Sequence, residues 1–230
     1  MNRERIELAA RELQKEIYRR RDSLWSTVDI PVISRMFSAE VAANVLGINY
    51  EPHPHLGKFG DGNTRFEVAG LIDRQGSRIS ISQNFDVLTQ RFTGAHEIGH
   101  WQLHKSELIM HRDRQVSGLG TARQSRSTVE KEADYFAACF LAPRNVVVAE
   151  FEFRFGSIDE FRFNDDAAFG LCPKNTRSLM VSSEDSYEWE MVLSSAISYH
   201  GEYFDSLASV FGVSAPTMAI RLREVGLRRN

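Results

Sequence analysis

The sequence predicts an α+β fold: a small sheet, then a mainly helical C-terminal region. Two observations predict it. Short runs of strand character fall between residues 66 and 83, and the clear periodicity after residue 87 has helical spacing. Size allows it, since 230 residues with 42% hydrophobic and 26% charged side chains can bury a core in one large domain, with or without a small appendage.

The elements follow in order. Residues 3–21 form an amphipathic helix with Ile6, Ala10, Leu13 and Ile17 on one stripe. Pro31 breaks the pattern, and a second helix over residues 39–46 stops at Gly47. Residues 51–64 (EPHPHLGKFGDGNT) read as a loop that leaves His53 and His55 in solvent. The runs over 66–72 and 78–83 flank Asp73-Arg74-Gln75-Gly76, which makes a β-hairpin. Helical period covers residues 87–104, and 105–127 are polar and irregular, a loop or flap. A strong helix over 128–141 ends before Pro143. Residues 151–178 hold six phenylalanines among charges and give no clear element. Helices are expected over 186–199, 203–211 and 214–225. The expected division is an N-terminal helix (1–28), a core (29–150) and a C-terminal region (151–230).

Composition excludes several classes. A net charge of -3 gives no bulk field for polyanions, so nucleic-acid binding would need a local basic patch. The two cysteines, Cys139 and Cys172, form no C-x-x-C pair and no disulfide framework. The charged N-terminus has no apolar signal region, and no run approaches the roughly 18 apolar residues of a membrane span. A reducing cytoplasm is the expected location.

The chemistry centres on His96-Glu97-Ile98-Gly99-His100. Residues four apart on a helix share a face, so two imidazoles can grip one ion. Glu97 stands about 100° round from His96, able to reach a metal-held water without being a ligand. H-E-x-x-H on a helix is the arrangement of a zinc hydrolase, with the glutamate as general base. A catalytic zinc needs a third ligand. The metzincin continuation would need a glycine and then a histidine where this chain has Leu103 and Ser106, so it is excluded. His104 lies about 12 Å along the helix from His96, too far to share the ion, and reads as a packing or surface residue. Glu130 and Asp134 share a face of the next strong helix, an E-x-x-x-D pair that resembles gluzincins, where the Glu ligates zinc and the Asp orients a ligand histidine. Glu132 should face away from Glu130. Gly99 suits close packing, on the Glu130 helix for instance, and Cys139 is a small core residue.

The stretch Gln90-Arg91-Phe92-Thr93-Gly94-Ala95 followed by HEIGHWQLH, the block EKEADYFAACFLAP, and the AGLID…RISIS hairpin together resemble the ImmA/IrrE family of metallopeptidases over residues 29–143. The sequence departs at Gly94, where relatives carry a larger apolar residue, and Asp134 is often Asn among them. The resemblance implies a zincin-like core, a small mixed sheet packed on the HExxH helix. It implies zinc on His96, His100 and Glu130, and catalysis by Glu97. It also implies a protein substrate, a transcriptional repressor or related regulator cut under stress or in mobile-element control.

Some readings stay open. Arg91, His111 and Tyr135 are the candidates for an oxyanion stabiliser. Two His and one Glu also accept manganese or iron. Residues 207–227 resemble a helix-turn-helix, and Arg221, Arg223, Arg228 and Arg229 make that end basic. The alternatives to a peptidase are therefore a DNA-binding regulator, or an antitoxin-like protein-binding one, on a metal-binding scaffold. Packing is the competing use of that helical pair.

Overall fold

The alternating runs predicted as a hairpin form one, around the turn at Asp73. A computed structural model describes residues 1–26, 29–59, 66–105, 112–114, 127–183 and 185–227. The chain divides into two compact units, Met1–Leu141 and Ala142–Asn230.

Unit 1 opens with α1 (Arg3–Arg19), α2 (Arg21–Leu24), α3 (Ile33–Met36) and α4 (Ala39–Leu46). Asn2 caps α1 by accepting from the Arg5 N–H, and α1 buries the predicted stripe of Ile6, Ala10, Leu13 and Ile17. Gly47 ends α4 in the left-handed conformation, at φ 70°. Then come β1 (Asn49–His53), β2 (Lys58–Phe59), β3 (Phe66–Asp73), β4 (Arg78–Ser82), α5 (Val87–Leu103), β5 (Arg112–Arg114) and α6 (Thr128–Leu141). The sheet order is β1-β4-β3-β2, with β5 also on β3. Among the described residues of this sheet only the β1–β4 pair is parallel, so the sheet is mixed.

Here the structure corrects the loop expected over 51–64. Residues 49–53 and 58–59 are strands. Pro52 misled the reading, yet among the described residues β1 pairs on one side only, and an edge strand tolerates a missing N–H. The flap expected over 105–127 lies outside the described residues, apart from 105, β5 and Ser127.

The core of unit 1 sets Ile72, Ile79 and Ile81 of the sheet, Ile98 of α5 and Phe136 and Phe140 of α6 fully out of water. The helix α6 packs on both α5 and α1. Both motif helices have C-terminal carbonyls satisfied by side chains from elsewhere. Gln14 of α1 donates to the Cys139 and Phe140 carbonyls at 2.9 Å each. Arg74, in the hairpin turn, donates to the carbonyls of His100 (2.7 Å) and His104 (3.1 Å), and Arg5 reaches Leu103 O at 3.3 Å. Cations at a helix C-terminus also suit its dipole.

Unit 2 contains α7 (Arg144–Phe155), α8 (Asp165–Leu171), α9 (Thr176–Met180), α10 (Glu188–Ser195), β6 (Ser198–Tyr199), β7 (Glu202–Tyr203), α11 (Leu207–Phe211) and α12 (Ala215–Val225). The phenylalanine-rich stretch that gave no element from sequence supplies α7, α8 and an aromatic cluster. Phe151 contacts Phe155 and Phe161, and Phe163 stands edge-on to Trp189. The helices expected over 186–199 and 203–211 are shorter, because β6 and β7 form a hairpin between them. His200 (φ 46°) and Gly201 (φ 87°) make its turn.

The C-terminal pair has helix-turn-helix character in its connection. Gly212 ends α11 in the left-handed region, and Ser214 caps α12 through the Thr217 N–H. Of the four arginines that make this end basic, Arg221 and Arg223 are engaged within unit 2. Arg221 is 3% exposed, donates to the Ala142 carbonyl at 2.9 Å and pairs with Glu224 at 3.2 Å. Arg223 pairs with Glu190 at 2.5 Å and lies over the Tyr187 ring. Arg228 and Arg229 are outside the described residues.

Candidate metal centre

Asp86 starts α5 by accepting from the Leu88 and Thr89 N–H groups. From that cap the helix carries His96, Glu97 and His100 inward, at 0%, 0% and 1% exposure. Glycines bring its neighbours close. A Cβ on Gly99 would lie 3.1 Å from the Ala133 carbonyl oxygen and from Phe136 Cδ1, so the bare backbone lets α6 approach. A Cβ on Gly70 of β3 would fall 2.6 Å from Thr93 Cγ2 and 2.7 Å from Glu97 Oε1. The strand therefore lies directly against the Glu97 carboxylate. At Gly94, the departure from the family pattern, the space belongs to Ala39 and the Tyr50 hydroxyl. Burial, helped by Glu40, pushes the Tyr50 phenol up to about 12.

The structure brings His96, His100 and Glu130 together, with ligand atoms all within 4.8 Å of one another. His96 Nε2 is 2.9 Å from His100 Nε2 and 3.4 Å from Glu130 Oε2, and His100 Nε2 is 3.3 Å from Glu130 Oε1. These separations bracket the roughly 3.3 Å edge of a tetrahedron of ligands about 2.0–2.1 Å from one ion. Proton assignment agrees with a cation. Asp134 Oδ1 lies 2.9 Å from His96 Nδ1, and a carboxylate only accepts, so Nδ1 donates. A neutral His96 then presents an Nε2 lone pair to the cluster. The donor set thus fits a divalent metal. Glu130 is half-buried beside both imidazoles.

The other expected positions sort clearly. Cys139 is buried and Cys172 partly exposed, and among the described residues neither is in a disulfide. His53 pairs with Glu51 on β1, outside the cluster. Tyr135 donates to Glu7 and lies under Arg3, so it faces α1. Arg91 donates to the Phe37 carbonyl at 2.7 Å. His111 lies outside the described residues. Sequence reasoning missed two neighbours of the centre. Glu132, expected to face away from Glu130, meets His104 at 3.2 Å. His104, read as a packing or surface residue, is buried, with its Nδ1 3.0 Å from His100 Nδ1.

Residues 59–169 match the family profile described as Peptidase_M78, IrrE N-terminal-like domain. No curated protein matches the chain. The match begins later than the resemblance read from sequence and runs further, but it contains His96, Glu97, His100, Glu130 and Asp134. That domain match supports the resemblance to the ImmA/IrrE family of metallopeptidases read from the sequence.

Proposed function

We propose that this chain is a zinc-dependent endopeptidase, and that it cleaves a transcriptional repressor or related regulatory protein in the cytoplasm. The observation that supports it most is the convergence of His96 Nε2, His100 Nε2 and the Glu130 carboxylate beside a buried Glu97. In this reading His96, His100 and Glu130 hold the ion, and residues 29–150 form a zincin-like core. When bound, zinc polarises the scissile carbonyl and lowers the pKa of an attacking water towards about 7. Glu97 takes the proton of that water and hands it to the leaving amine. Asp134 holds the His96 ring in the tautomer that offers Nε2. Gly70 of β3 packs against Glu97 and helps fix where its carboxylate stands. The choice of a regulator as substrate rests on the family. The DNA-binding alternative has lost its support at Arg221 and Arg223, whose guanidinium groups are engaged within unit 2.

Elemental analysis of purified protein tests the centre. About one zinc per chain is expected, and Glu130→Ala should lose it. A proteome-derived peptide library then tests the activity. New termini should appear with zinc-loaded protein and vanish on chelation. A metal-free protein that stays so after incubation with zinc, manganese or iron would overturn the reading.

A further inference from the structure

Resting on that reading, we propose that His104 and Glu132 are positioning residues for His100. Together they fix the tautomer that presents Nε2 to the ion, as Asp134 does for His96. Protons follow in turn along Glu132, His104 and His100. The Glu132 carboxylate only accepts, and its Oε2 is 3.2 Å from His104 Nε2, so that nitrogen carries the proton. A neutral His104 then has its lone pair on Nδ1. His100 Nδ1 lies 3.0 Å from that atom and must be the donor. The proton on His100 is thereby placed on Nδ1, and Nε2 is left with a lone pair facing His96 and Glu130. The opposite tautomer would turn an N–H towards the ion.

The geometry around His104 serves this arrangement. It sits at the C-cap of α5, where its N–H donates to the His100 carbonyl at 3.0 Å. Arg74 holds the carbonyls of His100 and His104 together, which fixes the backbone under both rings. The rings stand 5.1 Å apart between centroids, tilted by 53°. Glu132 comes from α6, the helix that also supplies Glu130 and Asp134. One helix face thus carries the third ligand and the support for His96, and the residue between them supports His100. The two histidines are held by different means. His96 meets a carboxylate directly, whereas His100 meets one through an intervening imidazole.

Zinc affinity of the full chain, measured by competition with a chromophoric chelator, tests the proposal. Glu132→Ala and His104→Phe should each weaken binding about 10–100-fold, as loss of a partner to a ligand histidine does. Glu132→Gln keeps an acceptor oxygen and should recover most of that loss. Ring 15N spectra of zinc-loaded protein supply a readout that a merely structural role would not move. Wild type should show His104 protonated at Nε2 and His100 at Nδ1, and Glu132→Ala should show His104 averaging between tautomers. Zinc bound by wild type, lost in Glu130→Ala and unchanged in Glu132→Ala and His104→Phe would overturn the positioning role and leave the metallopeptidase reading standing. No zinc binding by wild type would overturn both.

Discussion

The helices α5 and α12 both bury polar side chains, and they do so in different ways. On α12, Arg221 meets a carbonyl and Glu224, and Arg223 meets Glu190, so each donor has its acceptor inside unit 2. On α5 the groups that converge with Glu130 are acceptors: the Nε2 lone pair of His96 and, in our assignment, that of His100. A buried charge that meets its partner is tolerated in a core, and loss of that partner is costly. An excess of acceptors around one point calls for a cation. Burial of ionisable groups alone therefore does not mark a functional site, and the sign of the local imbalance does.

The sharpest way to break this comparison is Glu97→Gln. The change is isosteric, keeps the packing against Gly70 and leaves His96, His100 and Glu130 unaltered. Zinc content should stay near one per chain, while kcat on any peptide cut by wild type falls about 10²–10⁴-fold. Cleavage at the wild-type rate would place the base elsewhere. The counterpart on α12 is Arg221→Ala. It strands Glu224 and the Ala142 carbonyl in a buried setting and should destabilise unit 2 by about 3–5 kcal/mol. Hydrogen exchange across α10–α12 should speed up accordingly, with zinc content unchanged. Zinc loss together with intact protection in unit 2 would invert the assignment of roles.

Much of the centre was legible because its geometry is local. The spacing of His96 and His100 fixes one face of one helix, and Glu130 and Asp134 repeat the device on the next. Gly99 could be read as a close-packing position because glycine is costly in a helix, and it does face Ala133 and Phe136. The α+β class and the β3–β4 hairpin followed from alternation and turn chemistry. What escaped depended on contacts distant in sequence. The placement of His104 needs Glu132, 28 residues on, and the anchoring of the His104 backbone by Arg74 needs the hairpin turn beneath α5. Helix periodicity put Glu132 off the face of Glu130 but could not say what waited there. Likewise β1 finds its partner only after β4 exists, so a proline-containing stretch looked like loop. The inward turn of Arg221 is set by Ala142, 79 residues earlier, and a count of basic residues cannot see it.

The smallest expected effect separates the two ends of α5 itself. Its buried half carries His96, Glu97 and His100, whereas Asp86 caps the exposed start. The Asp86 carboxylate accepts from the Thr89 hydroxyl, the Thr89 N–H and the Leu88 N–H, and these bonds hold its pKa below the ordinary 3.8. A folded-state pKa below the unfolded one means stability that is fully present above the unfolded value. It is lost as pH falls through the lower, folded one. Asp86→Ala should thus cost about 1 kcal/mol at neutral pH, measured as a shift in denaturant midpoint. The gap between variant and wild type should close as the pH drops below 3.8, provided the chain is still folded there. Zinc affinity should not change, because His96 lies ten residues further along the helix. If Asp86→Ala weakens zinc binding as much as Glu132→Ala does, the whole helix moves as one body, and the functional half of α5 is not separable from its structural half.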